Sequence, residues 1–569
     1  MVGMNRRSFT AALAGGAAVL SPRWAQARTA CSALNSQAAG DADLVLLNGK
    51  IITVDARDSL AEAVAVRDGK IAFVGTTNAV RAQAGPNTKV IDLGGKCVTP
   101  GLVDSHLHVL YYGQQFRASL FDLRFPKART KDDLLGLVAA RAKVTPKGEW
   151  VVGNQGFSLS VPMMPTLAEL DAVSPDHPVY VKDRSGQFGM ANSRALRLAG
   201  VTSTSRDPLN AKFGRDANGE PNGLLFHYPA EQLIARSIPG YGTLNEQDVL
   251  EGQRRTLAFG YTSAQDVIVM QQAHVDLYRA LARRGELRTR LYLLRYLNSE
   301  QQLDAALQAF ERFTDPWLTF GGWKLAIDGG FSAGTGLMYD NSLALSNRAY
   351  PFFEQDVLNR MVLKLHKTGL QIAFHACGDR AIDMSLNAVE SALNASPRDN
   401  HRHRIEHAIF PTPAALERIR KLGMVISVQP QWIAFFGAAT RQLCSDALMR
   451  RYLPLRTMMN MGIPLAFGCD LPATILGEPR YAFQGAMLRR GREDYVPGPE
   501  QRLSMRDALR IHTMGSAYAA FEETTKGSIE PGKLADFVVW SHDLYGIAPR
   551  ELPQLEASTT IVNGRVIER

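Results

Sequence analysis

The sequence predicts an α/β protein: a (β/α)8 TIM-like barrel, a small β-sandwich domain built from both chain ends, and an inserted subdomain after the first barrel strand. Three observations lead there. Short apolar runs alternate with amphipathic stretches from residue 260 onward, several of the runs end in histidine or aspartate, and β-rich segments broken by Asn-Gly or Asp-Gly occupy both ends of the chain.

The 569 residues are 46% hydrophobic and 21% charged, a globular composition with enough apolar material for a large core. Residues 1–27 fall outside that core. Asn5-Arg6-Arg7-Ser8-Phe9 precedes a Gly/Ala-rich apolar run to Leu20, and Ala25-Gln26-Ala27 offers a small-residue cleavage site. This is the pattern of a twin-arginine export signal, so a periplasmic or secreted protein is expected, with no membrane span in the mature form. Residues 28–41 are small and polar and read as a flexible leader.

Arg6, Arg7 and Arg23 contribute to the formal net charge of +9, and the remaining cations are scattered. No Lys/Arg block or interleaved aromatic stripe suggests nucleic-acid binding. The five cysteines, Cys31, Cys97, Cys377, Cys444 and Cys469, are odd in number and widely spaced, without a CxxC pair. They suggest neither a disulfide framework nor a thiolate zinc knuckle.

Residues 42–97 and 525–569 carry the β-rich runs assigned to the sandwich. Asn48-Gly49, Asp68-Gly69 and Asn563-Gly564 read there as hairpin turns. The barrel is assigned to residues 98–524. Its first strand is expected at Leu102–His108, within VTPGLVDSHLH. Residues of about 111–260, of mixed helical and loop character, form the insert and are expected to cover the barrel mouth. Seven further strands are expected at Tyr261–Asp266, Arg290–Leu297, Thr319–Asp328, Gln371–His375, His403–His407, Met424–Pro430 and Pro464–Asp470. Amphipathic helices over Asp356–Thr368, Ala381–Ala395 and Pro413–Leu422 separate the later strands.

In such a barrel the reactive groups stand at the C-terminal strand ends. His106 and His108 are two apart, so a strand turns both imidazoles to one face. His375, His407 and Asp470 end later strands, and Lys324 lies in an apolar strand where a free ammonium is costly. Taken singly, His375 or His407 suits a hydrogen-bonded core histidine, Asp470 suits a helix cap, and Lys324 suits a partner of Asp328 or Glu406. Together, imidazole and carboxylate groups at several strand ends point to a metal centre. A carbamate formed from Lys324 and CO2 would give an anionic bridge between two metals. His366, His401 and His403 lack strand-end positions and are left as surface or packing residues. Glu406, next to His407, is expected to point away from the metal face and to support a ligand or serve the structure rather than bind metal itself.

The motifs VTPGLVDSHLH, GGWKLAIDGG, QIAFHACGDRAID, HRIEHA, FGCDLPA and GSIEPGKLADFVV together resemble the amidohydrolase superfamily over nearly all of the mature chain. The nearest branch is the YtcJ-like group, amidohydrolase family 3, which includes N-substituted formamide deformylases. The resemblance implies one metal on His106, His108 and Asp470, a second on His375 and His407, and a bridge from carbamylated Lys324. It also implies two divalent ions per chain. Zinc is favoured by imidazole-rich ligation, although manganese, iron or cobalt suit the same donors. The chain departs from the branch at Ser185-Gly186-Gln187, at Phe226-His227 and at Cys469, which leaves the ligands in place but not a relative's substrate.

The implied reaction is hydrolysis of an amide-type C–N bond, other than a peptide bond, by metal-bound hydroxide, with Asp470 as general base and acid. A small, partly apolar substrate is expected. Tyr112, Gln187, His227, Tyr228 and Trp432 are candidate substrate contacts, with Tyr111, Phe157 and Phe435 as further pocket walls. A deaminase or an ester or lactone hydrolase on the same site is the alternative reading, and a non-catalytic exported metal-binding protein is another. The oligomeric state stays open, a homodimer included.

Overall fold

A computed structural model describes residues 41–568 except 125–126, 155–163, 184–187, 332–333, 341–348, 475 and 492–494. The expected signal segment, the leader up to residue 40, Phe157 and Gln187 lie outside the described residues.

Eight strands form one parallel sheet in sequence order: β1 (Leu102–Leu107), β2 (Tyr261–Val269), β3 (Arg290–Leu297), β4 (Leu318–Ala326), β5 (Gln371–Ala376), β6 (Arg404–His407), β7 (Val425–Val428) and β8 (Leu465–Phe467). Parallel strands are covered on both faces, which is why runs such as Val425–Val428 are buried throughout. Beyond β8 the chain returns to β1. Asp470 N donates to His106 O at 2.7 Å, and His108 N donates to Leu471 O at 3.1 Å. The approach is close enough to require glycine at 468, where a Cβ would lie 2.6 Å from the backbone nitrogen of His106. This α/β barrel is the fold class the alternation of strands and helices predicts.

The helices between the strands have ordinary local causes. Helix Pro413–Leu422 starts on Thr412, whose side chain accepts from Ala415 N, and has proline in its first turn. It ends on Gly423 in the left-handed region at φ 67°. Ala415, Leu416 and Ile419 form its buried stripe.

Both chain ends contribute to one six-stranded sheet, ordered Arg565–Ile567, Ala557–Val562, Phe537–Trp540, Cys97–Pro100, Lys50–Ile52, Leu60–Ala61. A four-stranded sheet holds Ala42–Leu47, Ala63–Arg67, Lys70–Gly75 and Ala84–Asp92. Leu44, Leu46 and Val64 of the second sheet share an apolar cluster with Val98, Phe537 and Ile561 of the first. Asp68-Gly69 and Asn563-Gly564 are two-residue hairpin turns with positive φ at both positions. Asn48-Gly49 is not a hairpin. The strands on either side of it belong to different sheets, so this turn carries the chain from one layer to the other.

The insert also differs from expectation. Instead of helices and loops alone it contains a six-stranded mixed sheet, with apolar clusters on either side that include Leu134 and Val138 in one and Ala195 and Ile234 in the other. Its strands are only two to six residues long, too short for a period-2 pattern to stand out from the loops around them. Among the described residues no helix is long and apolar enough to cross a membrane.

Candidate metal centre

β1 and the segment after β8 bring the first group together. His106 and His108 are buried at the end of β1, as period-2 geometry requires. Asp470 Oδ1 lies 3.0 Å from His108 Nε2 and 3.4 Å from His106 Nε2. Burial alone would raise the Asp470 carboxyl, but the two imidazoles hold it well below the usual carboxylate range. Beneath this pair, Asp104 accepts from His106 N at 2.9 Å and from Cys469 N at 3.0 Å, pinning the strand end to the returning chain.

Glu406 supports a ligand as expected, but it points toward the site rather than away from it. Its Oε2 lies 2.5 Å from His106 Nδ1, while Arg404 Nε donates to Oε1 at 2.5 Å. Arg404 also donates to Gln265 Oε1 and, at 2.9 Å, to Ser105 O. Glu406 therefore faces the ligand side and fixes the imidazole of His106. Its neighbour His407 is also turned toward the site, because the strand leaves regular geometry there: His407 has φ 74° and Asp470 has φ 56°.

β5 and β6 supply the second group. His407 Nε2 lies 2.9 Å from His375 Nδ1, and His407 Nδ1 lies 2.8 Å from Gln429 Oε1. Burial, followed by the nearby Lys324 cation, pushes His375 down to about 3, so its imidazole is neutral at physiological pH. Cys377 Sγ lies 3.5 Å from His375 Nε2, and Asp328 Oδ1 lies 3.6 Å from the same nitrogen. Asp328 ties the loops after β4 and β5 together by accepting from the backbone N–H groups of Leu337, Cys377 and Gly378.

Two sets of donor atoms each lie within 4.8 Å of one another: His106, His407 and Asp470, and His375, Cys377 and His407. This grouping differs from the expected one. His407 belongs to both sets, and His108 reaches Asp470 but stands outside the first triad. Lys324, on β4, is 2% exposed, and its Nζ makes no hydrogen bond among the described residues. Burial lowers it to about 8. Imidazoles, an anionic carboxylate and a buried amine that makes no hydrogen bond among the described residues form a donor set that suits divalent metal.

Sequence reasoning missed Cys377, Asp328 and Asp104. Cys377 had a legible signal, since it follows His375 by two residues, the spacing that marks His106 and His108. The expected pocket residues are distributed unevenly. Trp432 stacks on His407, with ring centroids 5.1 Å apart at 10°, and donates from Nε1 to Thr474 Oγ1. Tyr228 hydrogen-bonds Tyr111, joining the insert to the segment after β1. His227 packs edge-on against Tyr350 and Phe352. Tyr112 lies in the apolar core against Phe116, and Phe435 packs on Tyr481. His366, His401 and His403 are buried structural residues, with His366 Nδ1 2.9 Å from His403 Nε2 and His401 Nε2 2.8 Å from Leu422 O.

Residues 89–568 match the model of the amidohydrolase family. The chain belongs to that family. It is 30% identical to Protein LONG AFTER FAR-RED 3 of Arabidopsis thaliana over 88% of this chain and 87% of that protein. It is 29% identical to the putative amidohydrolase YtcJ of Bacillus subtilis, over 91% and 98%. The N-substituted formamide deformylase of Arthrobacter pascens is 28% identical, over 92% and 97%. An uncharacterized metal-dependent hydrolase of Pyrococcus horikoshii superposes with a TM-score of 0.70 at 25% identity, covering 89% of this chain and 99% of that one. Family membership, together with the two donor sets, makes this amidohydrolase a metal-dependent hydrolase on an α/β barrel.

Proposed function

We propose that the enzyme hydrolyses an amide-type C–N bond, other than a peptide bond, in a small, partly apolar substrate. The observation that carries this reading is the position of Asp470, whose carboxylate oxygen lies within 3.4 Å of Nε2 of both His106 and His108 at the barrel mouth. Similarity to a protein named N-substituted formamide deformylase supports the bond type.

These residues would hold a divalent metal, which would supply Lewis acidity for a carbonyl and bring the pKa of a water toward about 7. Asp470, kept anionic, takes the proton of the attacking water and delivers it to the departing nitrogen. Glu406 accepts from His106 Nδ1, which turns Nε2 toward Asp470. Trp432 on one side, and Tyr228 with His227 from the insert, supply apolar walls for the substrate and exclude water.

We read the resident metal as zinc, two ions per chain, which His106, His108 and Asp470, together with His375, His407 and a carbamylated Lys324, would hold. The Lys324 amine attacks CO2, a C–N bond forms and one proton leaves, giving an anionic carboxylate. That Lys324 Nζ makes no hydrogen bond among the described residues supports this.

The test is elemental analysis of purified protein followed by assays on amides, esters and aminated rings. Metal-dependent release of amine from an amide is the expected result. Turnover confined to esters or aminated rings would transfer the site to the alternative chemistries, and full metal loading without turnover would leave only a binding protein. Export through the twin-arginine route is proposed from Arg6-Arg7 and the following apolar run. Retention of an Arg6→Lys, Arg7→Lys double variant in the cytoplasm would support it.

A further inference from the structure

We propose that Cys377 is a thiolate ligand in the second metal position, making that position a two-histidine, one-cysteine set with His375 and His407. The inference rests on the metal-dependent reading above and specifies one of its two positions.

Two observations carry it. The donor atoms of His375, Cys377 and His407 lie within 4.8 Å of one another, and Sγ is 3.5 Å from His375 Nε2. The cysteine backbone is fixed independently of any ion: Cys377 N and Gly378 N donate to the two oxygens of Asp328 at 3.0 and 2.9 Å. Asp328 is itself fully buried and accepts a third N–H from Leu337.

Binding breaks the S–H bond, forms a sulfur–metal bond and releases one proton to solvent, with no change of oxidation state. A thiolate donor favours zinc or cobalt over manganese or magnesium, so it also narrows the metal the position accepts. Cys97 and Cys444, although buried, belong to neither donor set.

The experiment is cobalt(II) loading of the purified full chain, with cobalt counted by elemental analysis and absorbance read in the near ultraviolet. A thiolate-to-cobalt charge-transfer band is expected in the parent, retained in Cys97→Ser and Cys444→Ser, and lost in Cys377→Ser. Because outer-shell changes already cost about 10–100-fold in affinity, loss of this ligand should weaken the second ion by at least about 10-fold. X-ray absorption of the zinc-loaded parent needs no variant, and should show one sulfur at about 2.3 Å beside nitrogen and oxygen at about 2.0–2.2 Å. Bound metal without a sulfur scatterer, or a band that survives in Cys377→Ser, overturns the proposal and leaves the hydrolase reading standing. Failure to bind any metal overturns both.

Discussion

His106 Nδ1 sits 2.5 Å from Glu406 Oε2, and this contact presents the other ring nitrogen to Asp470. The same carboxylate holds the fully buried Arg404. Glu406→Gln keeps the size of the side chain but loses its charge. The expected outcome is metal affinity weaker by about 10–100-fold, read by competition against a chelator. Unchanged affinity would mean that the contact only neutralises Arg404.

Asp470→Asn separates proton transfer from binding. His106 and His407 remain in the first triad. Metal content should therefore stay close to that of the parent while kcat falls about 10²–10⁴-fold, the usual contribution of a general base. Near-normal kcat would remove Asp470 from that role.

Lys324→Ala removes the amine proposed as the bridge. Metal content is expected to fall from about two ions per chain toward one, and a short carboxylic acid added to the buffer should partly restore it by occupying the vacated space. A metal count indifferent to the substitution would make Lys324 a structural residue.

His512 supplies a pH prediction away from the metals. It is packed among Tyr261, Phe467 and Phe483, neither ring nitrogen has a hydrogen-bond partner among the described residues, and burial lowers it to about 3. The unfolded chain takes up this proton near pH 6.5, whereas the folded chain does not, so stability is whole above that pH and falls as pH drops toward 3. By pH 5 the loss is about 2 kcal/mol. Thermal melts should show a smaller drop between pH 7 and pH 5 in His512→Met than in the parent.

Tyr228→Phe cuts the hydrogen bond to Tyr111 that ties the insert to the barrel mouth. A neutral hydrogen bond contributes about 0.5–1.5 kcal/mol. KM should rise about 2- to 12-fold with kcat nearly unchanged. A selective fall in kcat would place Tyr228 in the chemistry instead.

Most of the barrel and its ligand types were legible because they follow strict periods. Parallel strands buried on both faces read as apolar runs, and a ligand at the end of such a run stands out, as His375 and Asp470 do. The insert's sheet was not legible because its strands are too short for alternation to show. The direction of Glu406 was hidden for a different reason. Alternation sets Glu406 and His407 on opposite faces, but the left-handed backbone at His407 turns its ring toward the site as well.

The sequence alone determined the strands, the residues that end them and the imidazole-rich character of the centre, since all of these are local patterns of side chain and spacing. Only the tertiary structure decided which donors stand together. His108 and Asp470 are 362 residues apart, and His106 and Glu406 are 300 apart. Their contacts exist because the eighth strand returns beside the first and closes the barrel. That closure, with the backbone turns at His407 and Asp470, gives His407 to both donor sets and brings the carboxylate to the two histidines of the first strand.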